Sequence, residues 1–123
     1  MAIQYTYEKK DEILYALGSG VEESLKQDQE VTLEVIEVSR SFGCTKLLMD
    51  DRNVAYTSSI TSLYELAKSY SAKAELYAIR KIAVVADSKY KEDNDFYESA
   101  VRNRGLNLRI FYSIEKAEDW LLE

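Results

Sequence analysis

The chain has 123 residues, of which 46% are apolar and 31% are charged, a composition typical of one globular domain. One cysteine and no histidine exclude an internal disulfide, Ser-His or Cys-His catalysis and every His-ligated metal site. The 16 basic and 22 acidic residues give a net charge of −6, which argues against a nucleic-acid partner, and the longest uncharged stretch has twelve residues, too few to span a membrane.

The opening of the chain predicts a β-hairpin. Apolar and polar side chains alternate over residues 2–7 and 13–17, and the charged run Glu8–Glu12 lies between them. Gly18-Ser19-Gly20 lacks the rest of a phosphate-binding motif, so we interpret it as a tight exit from the second strand.

The segment Asp28 to Phe42 fits two kinds of element. Some of its apolar side chains alternate as in a strand, whereas others follow helical spacing. Its length, with Asp28 as the N-cap and Gly43 as a C-terminal stop, favours a helix. A short strand, Thr45 to Asp50, and a polar loop, Asp51 to Thr57, are predicted to follow.

A tyrosine-rich helix is predicted from Ile60 to Tyr77, and Ser58 or Ser59 is expected to cap it. Basic side chains and tyrosines interleave along this segment. The pattern fits a solvated helix face, and it also fits a movable cover over an apolar ligand or a surface that contacts a membrane. The candidate residues for ligand or membrane contact are Tyr64, Lys68, Tyr70, Lys73 and Tyr77.

The rest of the chain predicts two strands and two helices. The apolar run Ile82–Ala86 is typical of a strand covered on both faces. Asp95–Glu98 resembles a capping box at the start of a helix, and Leu106–Ile110 alternates as a last strand. Ser113 is expected to cap a closing helix whose apolar stripe buries Trp120.

The predicted element order is therefore ββαβαβαβα, in a single domain over residues 1–123. Strands separated by single helices form parallel crossovers in one sheet, and the opening hairpin adds an antiparallel pair. The predicted fold class is α/β, a mixed β-sheet with helices packed on it. The first residues show no export signal, so we expect a cytoplasmic protein, and nothing in the chain calls for a cofactor or a metal.

Acidic and hydroxyl side chains cluster after the third predicted strand. Asp50 and Asp51 are able to bind a divalent metal, to accept a phosphoryl group or to bond amides of the following loop, and we favour the last. Ser58 and Ser59 are suited to capping a helix and to holding a bound or covalent phosphate at its N-terminus. The candidate regulatory or binding loop comprises Asp50, Asp51, Arg52, Asn53, Tyr56, Thr57, Ser58 and Ser59.

In the order of its segments the chain resembles the STAS domain, in particular its SpoIIAA-like branch. The resemblance covers nearly the whole length. It rests on Lys46–Val54 as the third strand with its acidic exit, Lys81–Asp87 as the fourth strand, Asn103–Phe111 as the fifth, and Glu115–Leu121 as the closing helix. The family includes anti-sigma-factor antagonists and the cytoplasmic domains of sulfate transporters.

The resemblance implies a non-enzymatic module that binds another protein. In partner-switching members a kinase phosphorylates a serine in an Asp-Ser-Ser-Gly type motif at the start of the second helix. The corresponding residues here, Thr57–Thr61, keep the serines but lack the acid and the glycine. The branch has also been likened to lipid-binding Sec14-type domains, which implies as the alternative a carrier of a small apolar ligand at a membrane. A homodimer is compatible with either function.

Overall fold

The computed structural model describes residues 1–57, 65, 68–70 and 78–123, which form a five-stranded sheet with helices on both faces. The strands are β1 (Gln4–Lys10), β2 (Ile13–Val21), β3 (Lys46–Ala55), β4 (Lys81–Val85) and β5 (Leu108–Phe111). The helices are α1 (Leu25–Ser41), α2 (Lys91–Asn103) and α3 (Ile114–Leu121). Most of the predicted tyrosine-rich helix lies outside the described residues.

The sheet order is β1-β2-β3-β4-β5, in which β1 and β2 pair antiparallel and all other neighbours pair parallel. This confirms the mixed α/β fold class and the opening hairpin, and it supplies the strand order that periodicity left open. Among the described residues, no helix has both the length and the hydropathy needed to cross a membrane.

The core lies on both faces of the sheet, because successive strand residues point to opposite sides. Leu47 and Met49 of β3 belong to the cluster that packs with α1 and α2, whereas Leu48 belongs to the cluster that packs with α3. Trp120 of α3 is 8% exposed and its ring centroid lies 5.7 Å from that of Phe111. The predicted burial of Trp120 is therefore confirmed.

Helix α1 confirms the helical interpretation of residues 28–42, but it begins earlier than predicted. Its N-cap is Ser24, whose hydroxyl accepts a hydrogen bond from the Gln27 amide at 3.0 Å. Asp28 lies one turn further on, and its side chain is buried instead of capping the helix. The prediction of Asp28 as the N-cap was wrong because a better-placed serine precedes it.

Helix α2 begins at Lys91, after the short 3₁₀ turn Ser88–Tyr90, so the predicted capping box was also wrong. Asp95 lies inside the helix and forms an ion pair with Lys91 at 2.7 Å. Glu98 accepts a hydrogen bond from the Ile110 amide at 3.1 Å and thereby ties α2 to β5. Asp95 and Glu98 therefore form an ion pair and a contact with β5 instead of a helix cap.

Strand β3 continues past its predicted end at Asp50 and reaches Ala55, so residues 51–55 are strand and not loop. Strand β2 likewise runs through its glycines to Val21, which corrects the predicted strand exit at Gly18-Ser19-Gly20. The two extensions stabilise each other, because Ser19–Val21 pair in parallel with Asn53–Ala55.

Candidate functional site

A cavity of about 110 Å³ lies between the sheet and the side of the molecule formed by α1 and α2. Its described apolar lining comes from the strands and from α1, and includes Met49, Val84, Ile110, Val31 and Ile36. Its described polar lining consists mainly of five tyrosines and three aspartates, which are Tyr5, Tyr56, Tyr70, Tyr90, Tyr97, Asp28, Asp51 and Asp93.

A β-bulge in β3 directs two residues into this side of the sheet. Leu17 of β2 pairs with Asp50, but Ser19 pairs with Asn53, so β3 holds one extra residue between the two pairs. An extra residue shifts the alternation of side chains by one position. As a result, Asp51 lines the cavity while Val54, three residues on, packs in the cluster with Ile3 and Val31 of the same side.

Asp51 is the acceptor for two tyrosine hydroxyls. Tyr5 of β1 donates to its Oδ1 at 2.7 Å, and Tyr56, which follows β3, donates to its Oδ2. Burial raises the pKa of Asp51 to about 6, although both tyrosine hydrogen bonds act in the opposite direction by stabilising the carboxylate. Burial and the neighbouring Asp51 also raise the pKa of Tyr5 and Tyr56 well above the ordinary value, so both stay protonated donors.

Asp28 of α1 forms a second carboxyl–tyrosine contact. Tyr70 donates a hydrogen bond to Asp28 Oδ1, and its hydroxyl also lies 3.0 Å from Thr32 Oγ1. Burial, a hydrogen bond with the Glu22 side chain and the charges of Glu22 and Asp51 raise the pKa of Asp28 to about 8, against the lowering effect of Tyr70. The carboxyl group of Asp28 is therefore much harder to ionise than that of an ordinary aspartate.

Glu22 connects this carboxyl group to the predicted regulatory loop. The Thr57 hydroxyl donates to the Glu22 carbonyl at 3.0 Å, and the Thr57 amide donates to Glu22 Oε1 at 3.3 Å. Glu22 also raises the pKa of Asp28, so its side chain interacts both with the cavity lining and with the residue that precedes Ser58.

Tyr90 closes another side of the cavity. Its ring lies perpendicular to that of Tyr56 with centroids 5.6 Å apart, and its hydroxyl accepts a hydrogen bond from the Tyr56 amide at 3.1 Å. The two rings thus pack edge to face, and both residues line the cavity.

Asp50 has a different environment from its neighbour Asp51. It is not among the residues that line the cavity, and it forms a bidentate pair with Arg52, with Nε–Oδ1 at 2.9 Å and Nη2–Oδ2 at 2.8 Å. Hydrogen bonds from the Arg52 side chain and amide lower the pKa of Asp50. The predicted bond to a backbone amide is present for Asp50, which accepts from the Arg52 amide at 3.2 Å, whereas Asp51 bonds tyrosines.

The other candidate residues divide into three groups. Arg52, Asn53 and Thr57 have exposed side chains at the end of β3, and Lys68 is also exposed. Tyr56 and Tyr70 contact the buried carboxyls of the cavity. The remaining candidates, which are Ser58, Ser59, Tyr64, Lys73 and Tyr77, lie outside the described residues.

Sequence reasoning missed Tyr5, Asp28 and Glu22 as parts of one site. Tyr5 and Asp51 are 46 residues apart, and Asp28 and Tyr70 are 42 apart, so no local motif joins them. One available signal was that Asp28 shares the helical stripe of Val31 and Val35, which places a carboxyl on the buried face of α1.

A five-stranded sheet in this order, with an antiparallel opening hairpin and helices on both faces, is the STAS fold predicted by the resemblance. One matching solved structure is described as an anti-sigma factor antagonist from Mycobacterium paratuberculosis. It superposes with a TM-score of 0.64 over 99% of this chain and 96% of that chain, at 14% sequence identity. No family model matches the chain, and no curated protein matches its sequence.

Proposed function

We propose that this chain is a non-enzymatic regulatory module that binds a partner protein through the surface at the end of β3. The observation that carries the proposal is the exposed polar group formed by Arg52, Asn53 and Thr57, directly before two serines. The STAS fold supports it, since a structure of the same fold is described as an anti-sigma factor antagonist.

Arg52 is the residue best suited to respond to a charge at this surface. Its side chain is 47% exposed while it holds the largely buried Asp50 in a bidentate pair. A guanidinium group in this position is able to bind a carboxylate or a phosphate of a partner. Phosphorylation of Ser58 or Ser59 would add negative charge a few residues away and would compete with Asp50 for Arg52.

Partner titration tests the proposal. A tagged full chain is used to capture proteins from an extract of its own cells, and each purified candidate is titrated against the natural chain and the variants Arg52→Gln, Ser58→Asp and Ser59→Asp. We expect the affinity to change by about fivefold or more, the effect of roughly 1 kcal/mol from one added or removed charge.

The matched control is Lys10→Gln, which removes an exposed positive charge at the far end of β1. Partner affinity should be the same for this variant and the natural chain. Equal affinities for the natural chain and all three test variants would contradict the proposal.

A second candidate function, a carrier of a small apolar or amphipathic ligand, is favoured by the cavity. A described lining of aliphatic side chains and tyrosines with a few polar groups has the usual composition of a ligand site. Native mass spectrometry of the chain purified from its own cells tests for a retained small molecule. Vesicle co-sedimentation tests the membrane contact that belongs to this alternative. Sedimentation velocity tests the homodimer, which is compatible with either function.

A further inference from the structure

We infer that the cavity takes a small organic cation, an amine or quaternary ammonium group with a short apolar body. The inference rests on the second candidate function, because it names the class of ligand that such a carrier would hold. It is argued from the charge, the aromatic walls and the size of the cavity.

The first argument is charge. The described residues that line the cavity include Asp28, Asp51 and Asp93, and no lysine or arginine is among them. A buried carboxyl has two ways to avoid an isolated negative charge, which are to hold a proton or to pair with a cation. An ammonium ligand would supply that cation.

The surroundings of the two deepest acids support this argument. Glu22 and Asp51 raise the pKa of Asp28, and a hydrogen bond from Tyr70 lowers it. Asp51 accepts hydrogen bonds from two tyrosine hydroxyls. The interactions that raise the pKa of these acids are burial and neighbouring carboxyls, both of which disfavour a negative charge. A bound cation would relieve both.

The second argument is the aromatic lining. Tyr56 and Tyr90 pack edge to face, and together with Tyr5, Tyr70 and Tyr97 they give the cavity lining five tyrosine rings. The face of an aromatic ring attracts a cation, and several rings at right angles form the cages that bind quaternary ammonium groups. Tyrosine rings combined with carboxyls favour a cation over a neutral apolar molecule of the same size.

The third argument is size. A cavity of about 110 Å³ is somewhat smaller than the ~150 Å³ cavity that accommodates benzene. It therefore accepts a group of roughly five non-hydrogen atoms, and Val31, Val84 and Ile110 are available to contact its alkyl part. Among the described residues, no three acidic or sulfur side chains converge as metal ligands, so an organic cation fits better than a metal ion.

Titration with four probes of similar size tests the inference on the full chain. The probes are butylammonium, tetramethylammonium, 1-butanol and butanoate, and binding is followed by amide chemical shifts. We expect at least one ammonium probe to bind about tenfold more tightly than 1-butanol. We expect butanoate not to bind. The shifted amides should lie around Thr32 and Asp51, and those of α3 on the other face should not move.

A pair of neighbouring variants controls for indirect effects of charge. Asp51→Asn removes an acid of the cavity and should abolish the preference for the ammonium probes, whereas Asp50→Asn should retain it. If Asp51→Asn fails to fold, the comparison of the four probes on the natural chain still tests whether the cavity prefers a cation.

Two outcomes would overturn the inference. If 1-butanol binds as tightly as the ammonium probes, the cavity does not select its ligand by charge. The cation inference is then wrong, and the carrier function stands. If none of the four probes binds, the cation site is rejected, while native mass spectrometry still decides the carrier function and partner titration still decides the partner-protein proposal.

Discussion

Gly18 of β2 lies directly opposite Tyr5 of β1, and a β-carbon at position 18 would come within 2.7 Å of Tyr5 Cε1. The missing side chain leaves room for the Tyr5 ring to lie over β2. In that position its hydroxyl reaches Asp51 in β3 at 2.7 Å. The glycine thus permits a hydrogen bond that links two strands across the one between them.

Replacing Gly18 with alanine should therefore damage the cavity. The added methyl group would displace the Tyr5 ring from Asp51, and overpacking of this kind typically costs about 1–3 kcal/mol of unfolding free energy. Urea unfolding measures the cost, and the tyrosine absorption spectrum reports the changed environment of the ring. Ser19→Ala, at an exposed neighbouring position, should change neither. Unchanged stability of Gly18→Ala would show that the ring moves aside without loss.

Stability should fall as the pH rises from about 4.5 to 8. Burial raises the pKa of Asp51 to about 6 and that of Asp28 to about 8, so the native state holds protons that the unfolded chain has released above pH ~4. The stabilisation is complete below the unfolded pKa and is lost as the pH passes through the folded values. We expect a loss of at least about 1 kcal/mol, measured by urea unfolding at a series of pH values.

Variants at two adjacent positions separate this effect from general charge repulsion. Asp51→Asn should reduce the slope of the pH dependence between about 4.5 and 6 and leave the part that comes from Asp28. Asp50→Asn should retain the slope, because the pKa of Asp50 is lowered by Arg52 and this group titrates below that range. A free energy of unfolding that rises with pH in the natural chain would contradict the assigned direction.

Trp120→Ala should strongly destabilise the chain. The side chain is buried against β4 and β5, and Lys81 Nζ lies 5.2 Å from the ring centroid. Truncation of a buried tryptophan typically costs ~3–5 kcal/mol. Thermal or urea unfolding measures the loss, with Leu122→Ala at a 60% exposed position as the control. A loss below about 1 kcal/mol would mean that α3 packs only loosely on the sheet.

Ser24→Ala should weaken α1 at its first turn. The hydroxyl accepts the Gln27 amide, and removal of such a cap costs about 1 kcal/mol. The matched control is Ser99→Ala, an exposed position inside α2 where no cap is lost. Urea unfolding compares the two variants, and equal stabilities would show that the cap is not needed.

The sequence predicts best where the signal is local. Helix α3 was recognised because Ser113, three residues before Lys116, caps it and because an apolar stripe follows. The length of β3 was missed because Asp51, Arg52 and Asn53 have side chains typical of loops. Their backbone is extended because it pairs with the end of β2, a partner that composition does not reveal.

The candidate site was predictable only in part for the same reason. Asp51 and Tyr56 lie five residues apart and were placed together in one loop. Their joint environment with Tyr5 and Asp28 depends on the order of the strands and on the packing of α1 over them. Periodicity determines which face of an element is apolar, but it does not determine which elements become neighbours.

The bulge in β3 separates the composition of the cavity from that of the neighbouring surface. Between two inward-facing residues a regular strand has one outward-facing position, whereas β3 has two exposed residues, Arg52 and Asn53, between Asp51 and Val54. Deleting Arg52 would restore regular pairing with β2 and would leave Asp51 and Val54 on the same side of the sheet. It would also remove the guanidinium group that pairs with Asp50. Proteins of this fold are therefore free to change the exposed side chains at the end of the third strand while they keep the same cavity.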